Sequence, residues 1–413
     1  MRGVLGLAVL LGLAWLASSR RRRPPWRMIL AGLGLQFAIA GLMLKVPAFS
    51  GVFMALNKVV LAMDQATRAG TSFVFGYVGG GTLPFTEVKP GSAFILGFQA
   101  LPLVIVIAAL TSLLFYWRIL PQVVRAFSWV LRQTMGIGGA LGVGASGTIF
   151  LGMIEAPLLI RPYLSQLTTS ELFAMMATGM SCIAGTMLML YATVLSGVIP
   201  DALGHILTAS VIHAPAALAV AAIMVPETGS PTLGREIPAS QAKGAMDAIA
   251  GGTWDGLKLF LNIVAMLIVF IALVKLVNLG LGNLPGPGGQ PLTMQGLLGW
   301  LMAPVAWLLG IPWSEARTAG GLLGTKIVLN EFMAFIDLAN LAPEVLSERT
   351  RLILTYAMCS FANFGSLGIL MGGLASLCPE RRAEIAGLGM KALLAGATAS
   401  LMTGAVVGIL FPA

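Results

Sequence analysis

The chain of 413 residues is 57% hydrophobic and only 10% charged, with a mean hydropathy of +0.91; soluble domains carry about 25% charged residues. This composition excludes a soluble enzyme or binding module and leaves a polytopic membrane protein. The formal charge of +9 does not point to nucleic acid, because the Lys and Arg residues lie in short loops, where they set topology, and no basic stripe alternates with aromatics.

Residues 3–18 form a short apolar run, followed at once by Arg20, Arg21, Arg22, Arg23 and Arg27. A basic block holds its side in the cytoplasm, so the run reads as a first span with its N-terminus outside rather than as a leader. Residues 28–46 return as the second span. Residues 49–75 intersperse Asn57, Lys58, Asp64, Gln65 and Arg68 among apolar positions, the pattern of an amphipathic helix lying at the interface. A glycine-rich loop, 76–90, leads to a third span, 93–117, and then to a basic, cytoplasmic segment with Arg118, Arg125 and Arg132; Trp117 and Trp129 fit interfacial anchors.

Residues 135–166 are apolar but interrupted by glycines at 136, 138, 139, 142, 144, 147 and 152 and by Pro157 and Pro162. Crossing about 30 Å of hydrocarbon takes roughly 20 uninterrupted residues, so this segment reads as a re-entrant helical hairpin. Spans follow at 171–195 and 202–225. A loop with an amphipathic helix near 240–256 precedes a span at 257–279 and a Gly/Pro loop at 280–290. A short apolar helix at 297–309 leads into a second interrupted hairpin, 314–341. Spans at 351–374 and 385–410 close the chain. The expectation is an all-α polytopic membrane protein with about eight transmembrane helices, two re-entrant hairpins in inverted repeats and interfacial amphipathic helices. The two repeats occupy residues 135–226 and 314–413, and residues 1–134 and 227–313 lie outside them.

The repeat rests on four landmarks. Glu155 matches Glu331 at an offset of 176, Ser170-Glu171 matches Ser347-Glu348 at 177, the small-residue run at 181–186 matches 360–366, and Pro200 matches Pro379 at 179. The serine–glutamate pairs suit helix N-caps. Three spans separate corresponding points, so the repeats are inverted. Interrupted helices meeting at a polar solute are the pattern of secondary transporters.

Each interrupted hairpin carries a carboxylate, Glu155 or Glu331, at a cost of roughly 2.5–3.5 kcal/mol unless it faces a polar cavity or a partner. Glu331 with Asn330, and Asn363 with Ser366, offer donors and acceptors for sugar-type hydroxyls, and Phe361 and Phe364 can pack on a ring. His205 and His213 stand eight apart, the wrong spacing for a helical metal pair, and read as packing residues. Cys182, Cys359 and Cys378 lie in or beside apolar segments, where a disulfide framework is not expected.

Leu329-Asn330-Glu331-Phe332, the run Phe361 to Ser366, and Gly152-x-x-Glu155-Ala156-Pro157-Leu158 with Arg161-Pro162-Tyr163 resemble the motifs of concentrative nucleoside transporters. The resemblance covers essentially the whole chain. It implies a homotrimer in the bacterial cytoplasmic (inner) membrane, importing nucleosides by cation symport without a cofactor. It also implies that Glu331, Asn363 and Ser366 hold the ribose beside Phe361, and that Met153, Ile154, Glu155 and Met187 face the base. Where the family usually has Gln and a small hydroxyl residue, this chain has Met153 and Ile154, which implies an apolar base pocket and an altered preference. The family's sodium ligands fall on the side chains of Thr148 and Cys182 and the carbonyls of Leu151 and Ile183. Thiol sulfur is too soft for a hard cation, so a proton carried on Glu155 or Glu331 is the alternative to sodium. The alternative cargoes are a nucleobase, or a modified nucleoside or nucleoside antibiotic. A channel, or an enzyme using Glu155 and Glu331 as a carboxylate pair, is disfavoured because no nucleophile–base pair is visible and interrupted hairpins suit alternating access.

Overall fold

The computed structural model describes residues 2–21, 24–45, 47–86, 93–233, 242–284 and 291–411. Arg22, Arg23, the end of the expected span 28–46 and parts of the loops 76–90, 226–255 and 280–290 lie outside the described residues. The described elements are helices. α1 (Arg2–Leu16), α2 (Trp26–Lys45) and α3 (Pro47–Phe75) open the chain. α3 is one continuous helix whose polar residues keep it out of the set apolar enough to span, in line with an interfacial element. α4 (Leu96–Gln99) and α5 (Leu103–Tyr116) make up the third expected span, separated at Pro102, which has no N–H to continue the helix.

The basic segment that follows is not a loop. Residues 119–135 form α6 (Ile119–Met135), which buries Pro121, Val124, Ser128, Leu131 and Met135 at alternating spacings of three and four. That spacing defines one helix face; the arginines between these positions hid it in the sequence.

The interior consists of two units with the same order of elements. In the first, α7 (Gly139–Gly147) and α8 (Glu155–Leu158) form an interrupted hairpin, and α9 (Thr169–Ser181), α10 (Gly185–Leu195) and α11 (Ala202–Met224) follow. Between the units lie α12 (Ala245–Leu281) and α13 (Met294–Leu308). The second unit has hairpin α14 (Trp313–Val328) and α15 (Glu331–Asn340), then α16 (Glu348–Met358), α17 (Phe364–Leu377) and α18 (Arg382–Leu410). The expected single spans 171–195 and 351–374 are therefore each two helices, unwound at 182–184 and 359–363. The backbone freed there is bonded across the breaks: Gly185 N–H donates to Phe150 O at 2.9 Å and Phe361 N–H to Cys182 O at 3.4 Å. The expected amphipathic helix near 240–256 and the span 257–279 are fused into α12, whose Gly252 and Gly256 lie directly against the backbone of α5.

Among the described residues, five helical segments are long and apolar enough to cross a membrane: α2, α4–α5, α11, α12 and α18. The two broken helices and the short α1 complete the eight expected. α11 is buried almost all round, whereas α12 is exposed along most of its length. Helices α13 and α14 meet at a bend of 117°, and the turn is made by Gly310 at φ +101°, a conformation that disfavours any side chain.

Helix ends are closed by specific side chains. Thr168, not Ser170, caps α9, its hydroxyl accepting from Glu171 N–H while Glu171 accepts from Thr168 N–H, both at 3.1 Å, a capping box. Ser170 instead donates to Val225 O. Ser347 caps α16 as expected. Each hairpin ends on an arginine that satisfies terminal carbonyls: Arg381 donates to Leu164 O and Leu167 O, and Arg351 to Leu338 O, Leu341 O and Ala342 O.

Where α13 and α14 cross, a Cβ on Gly320 would lie 2.7 Å from Ala303 N and from Gly299 O, both backbone atoms. Gly320→Ala must push the helices apart, at a cost of about 1–3 kcal/mol. Thermal unfolding in detergent should show a lower Tm for this variant and none of that loss for Gly34→Ala, whose Cβ meets open space.

Candidate functional site

The second hairpin is interrupted at Leu329 and Asn330. Asn330 is extended, and its Oδ1 accepts from Met333 N–H at 2.8 Å, capping α15; that oxygen is committed to the helix rather than to a solute. Glu331 follows as the first residue of α15 and is 4% exposed. Its Oε1 accepts from the Tyr191 hydroxyl at 2.6 Å and its Oε2 from Asn363 Nδ2 at 2.8 Å. Asn363 Oδ1 accepts from Ser366 N–H at 2.7 Å and caps α17. One amide thus starts a helix and fixes the carboxylate. Two helix N-termini, each with a partial positive charge, converge on Glu331. Phe361, Asn363 and Ser366 are buried in or beside the break, while Phe364 is half exposed.

Two residues of this centre were missed in the sequence. Tyr191, on α10, is fully buried between Phe332 and Phe335, with ring centroids 6.0 and 5.1 Å away. A lone hydroxyl in the run Leu188-Met189-Leu190-Tyr191 was the available signal, since a buried tyrosine hydroxyl needs a partner. Lys326, on α14, is 2% exposed. Its Nζ donates to Ser360 Oγ at 2.7 Å and Ala362 O at 3.1 Å. A charge inside the second interrupted hairpin was as visible as Glu331 and obeys the same rule.

In the first hairpin the break spans 148–154. Gly152, at φ +103°, brings the backbone against Ala184 in the neighbouring break. Glu155 opens α8 and turns its carboxylate onto the N–H groups of Ile154 and Glu155. Unlike Glu331 it is exposed at the surface of the chain. No hydrogen bond joins it to Glu331 among the described residues; Glu331 is bonded instead by α10 and by the residue that caps α17. Met153 is 7% exposed and packs beside Gly179 of α9, and Ile154 lies over Gly373 of α17. Met187 is buried in the first turn of α10.

Of the residues expected to bind a cation, Thr148 and Cys182 are brought together. The Thr148 hydroxyl donates to Ala145 O at 2.8 Å and reaches the Cys182 thiol. Cys182 Sγ lies 3.6 Å from Ser210 O, and Ser210 Oγ donates to Ile149 O at 3.1 Å. Ser210 of α11 therefore ties the two breaks of the first unit together, a role the sequence did not reveal. Thr148, Cys182 and Ile183 are at most 1% exposed. With the carbonyls of Leu151 and Ile183 the set has three hard oxygens and one soft sulfur.

Residues 5–78 match the family model described as Na+ dependent nucleoside transporter N-terminus, residues 205–408 the corresponding C-terminus, and residues 97–197 a nucleoside recognition (gate) model. The chain is 36% identical to an uncharacterized transporter of Haemophilus influenzae, covering 99% of this chain and 97% of that protein. It is 35% identical to nucleoside permease NupC of Helicobacter pylori, covering 98% and 96%. Among solved structures it is similar to CNTnw in an inward-facing substrate-bound state, with 34% identity, a TM-score of 0.90 and coverage of 99% and 98%. A variant of the same protein in an outward-facing state also matches with a TM-score of 0.90, 34% identity and coverage of 99% and 97%.

A buried hydrogen bond to a carboxylate contributes about 1.5–3 kcal/mol. A double-mutant cycle of Tyr191→Phe and Glu331→Leu, followed by unfolding in detergent, should return a coupling of about that size. A coupling near zero would mean that the two side chains do not bond in the folded protein.

Proposed function

Because the chain belongs to the Na+ dependent nucleoside transporter family, we propose that it imports nucleosides by cation symport, alternating between outward- and inward-facing states. The observation that carries this reading is the Glu331 carboxylate, held by Tyr191 and Asn363 at the meeting of two helix N-termini. A fixed, buried carboxylate accepts strongly from vicinal hydroxyls, and ribose presents such a pair. Asn363 and Ser366 flank that position, and Phe361 offers an apolar wall to the sugar. Met153, Ile154, Glu155 and Met187 face the base. Pairing an apolar Met153 and Ile154 with a single carboxylate predicts weaker discrimination by hydrogen bonds than in relatives with polar residues there.

The two units, 135–226 and 314–413, act as inverted repeats forming a transport domain, and residues 1–134 and 227–313 as the scaffold through which three copies assemble in a bacterial cytoplasmic membrane. Inverted repeats with interrupted helices suit a site exposed alternately to each side. The coupling ion is sodium, held by the Thr148 hydroxyl and the carbonyls of Leu151 and Ile183. A proton is the second reading, favoured by one observation: the fourth ligand position holds Cys182, whose thiol sits beside Ser210 O.

Reconstituted in proteoliposomes, the protein should accumulate a nucleoside under an imposed sodium gradient. Accumulation under a proton gradient alone would replace sodium by the second reading. Glu331→Gln should abolish uptake in either case, and near-normal transport by that variant would remove the ribose assignment. Ile154→Thr should shift the ranking of purine and pyrimidine nucleosides in a competition panel.

A further inference from the structure

Lys326 is a buried charge that the solute site does not explain. Its ammonium bonds one side-chain hydroxyl, Ser360 Oγ, and one backbone carbonyl, Ala362 O, both in the unwound segment between α16 and α17. The repeat gives these partners a meaning. Ser360 and Ala362 correspond to Ser181 and Ile183 at an offset of 179, the offset that relates Pro200 to Pro379. Ile183 supplies a carbonyl to the candidate cation position of the first unit, and Cys182 lies between the two matched residues. On the hairpin side, at the offset of 176 that relates Glu155 to Glu331, Lys326 corresponds to Phe150, whose carbonyl accepts from Gly185 N–H across the break of the first unit as Lys326 bonds across that of the second. Phe150 carries no charge.

We propose that Lys326 is a tethered cation: its ammonium fills, in the second unit, the place that a free cation takes in the first, and so holds the second hairpin on the unwound segment where Glu331 and Asn363 meet. The proposal rests on the cation reading of the first unit given above. An isolated charge in the interior is strongly unfavourable. In the second unit the Lys326 side chain lies within electrostatic reach of the Glu331 carboxyl, so that unit holds a basic and an acidic group together without an ion. In the first unit Glu155 has no such built-in counterpart at the matching position, so the exchangeable ion belongs there. The Phe361 N–H bond to Cys182 O, at 3.4 Å, brings the two cation positions side by side. Lys326 is thus a positioning residue: it touches neither ion nor solute and acts through Ser360 and the segment that carries Phe361 and Asn363.

Three variants test this. Lys326→Gln keeps a donor for Ser360 and Ala362 and removes the charge; uptake should fall at least tenfold while the protein elutes as a single species from size exclusion. Wild-type uptake in Lys326→Gln would overturn the proposal, because hydrogen bonding alone would then suffice. Lys326→Ala lacks three carbons and the ammonium, which is the size of propylammonium. Propylammonium chloride should raise the Tm of Lys326→Ala in detergent, and restore its uptake several-fold, at concentrations where potassium chloride has no effect and wild type does not respond. A Tm for Lys326→Ala that propylammonium does not change would overturn the proposal. Lys326→Met, without charge or polar head, should lose uptake as fully as Lys326→Gln does, and retained uptake would again overturn it. The Tm readout needs no transport, so a wild-type protein that moves no nucleoside would remove the functional reading and leave the tethered cation to be decided by propylammonium alone.

Discussion

In hydrocarbon, a backbone N–H or C=O without a partner costs several kcal/mol, and among the described residues four inner helical segments are interrupted. The rest of the structure answers that constraint. Asn330 and Asn363 start the helices that leave two of the breaks. Phe150 O takes the N–H that opens α10, and Cys182 O takes one from the opposite break. Arg381 and Arg351 close the far ends of the two hairpins, and Arg349 binds Gly310 O, Gly408 O and Phe411 O, joining the α13–α14 bend to the end of α18. A polar site in the middle of an apolar protein follows from these needs, because the side chains that satisfy the breaks must be polar and must be close to them.

The same constraint separates the two carboxylates. Glu331 is buried and bound on both oxygens by neutral donors, with helix N-termini aimed at it. Glu155 borrows only N–H groups at the start of its own short helix and remains accessible. A carboxylate fixed from several directions suits a constant anchor. One that is exposed and keeps free acceptor capacity suits a contact that forms and breaks in each cycle. The sequence presents them as twins at an offset of 176, and their surroundings make them different.

What the sequence made legible were the features whose cost is large and local. A glutamate in an apolar run, a Gly/Pro-interrupted hairpin and a long uninterrupted span each announce themselves within a dozen residues, so both hairpins, Glu155, Glu331, Asn363 and the order of the spans were readable. The unwound segments at 182–184 and 359–363 were not, because neither contains a proline and the partners that stabilise them, Phe150 and Lys326, come from another element. Tyr191 was hidden for the same reason: its role depends on a residue 140 positions away. Helix α6 was obscured in the opposite way, by arginines drawing attention from an apolar face.

The placement of the two unwound segments bears on coupling. Cys182 and Ile183 stand at the candidate ion position, and Phe361 and Asn363 at the proposed solute position, with one backbone hydrogen bond, Phe361 N–H to Cys182 O, between the segments. In the proposed cycle, an ion that draws in the Ile183 carbonyl orders the unwound segment that accepts from Phe361. The segment carrying Asn363 is then held in register with Glu331 before the solute arrives. Reciprocity requires that a bound solute order the ion position by the same free energy. Symport in this fold can therefore arise from shared ordering of two short pieces of backbone, without direct contact between ion and solute.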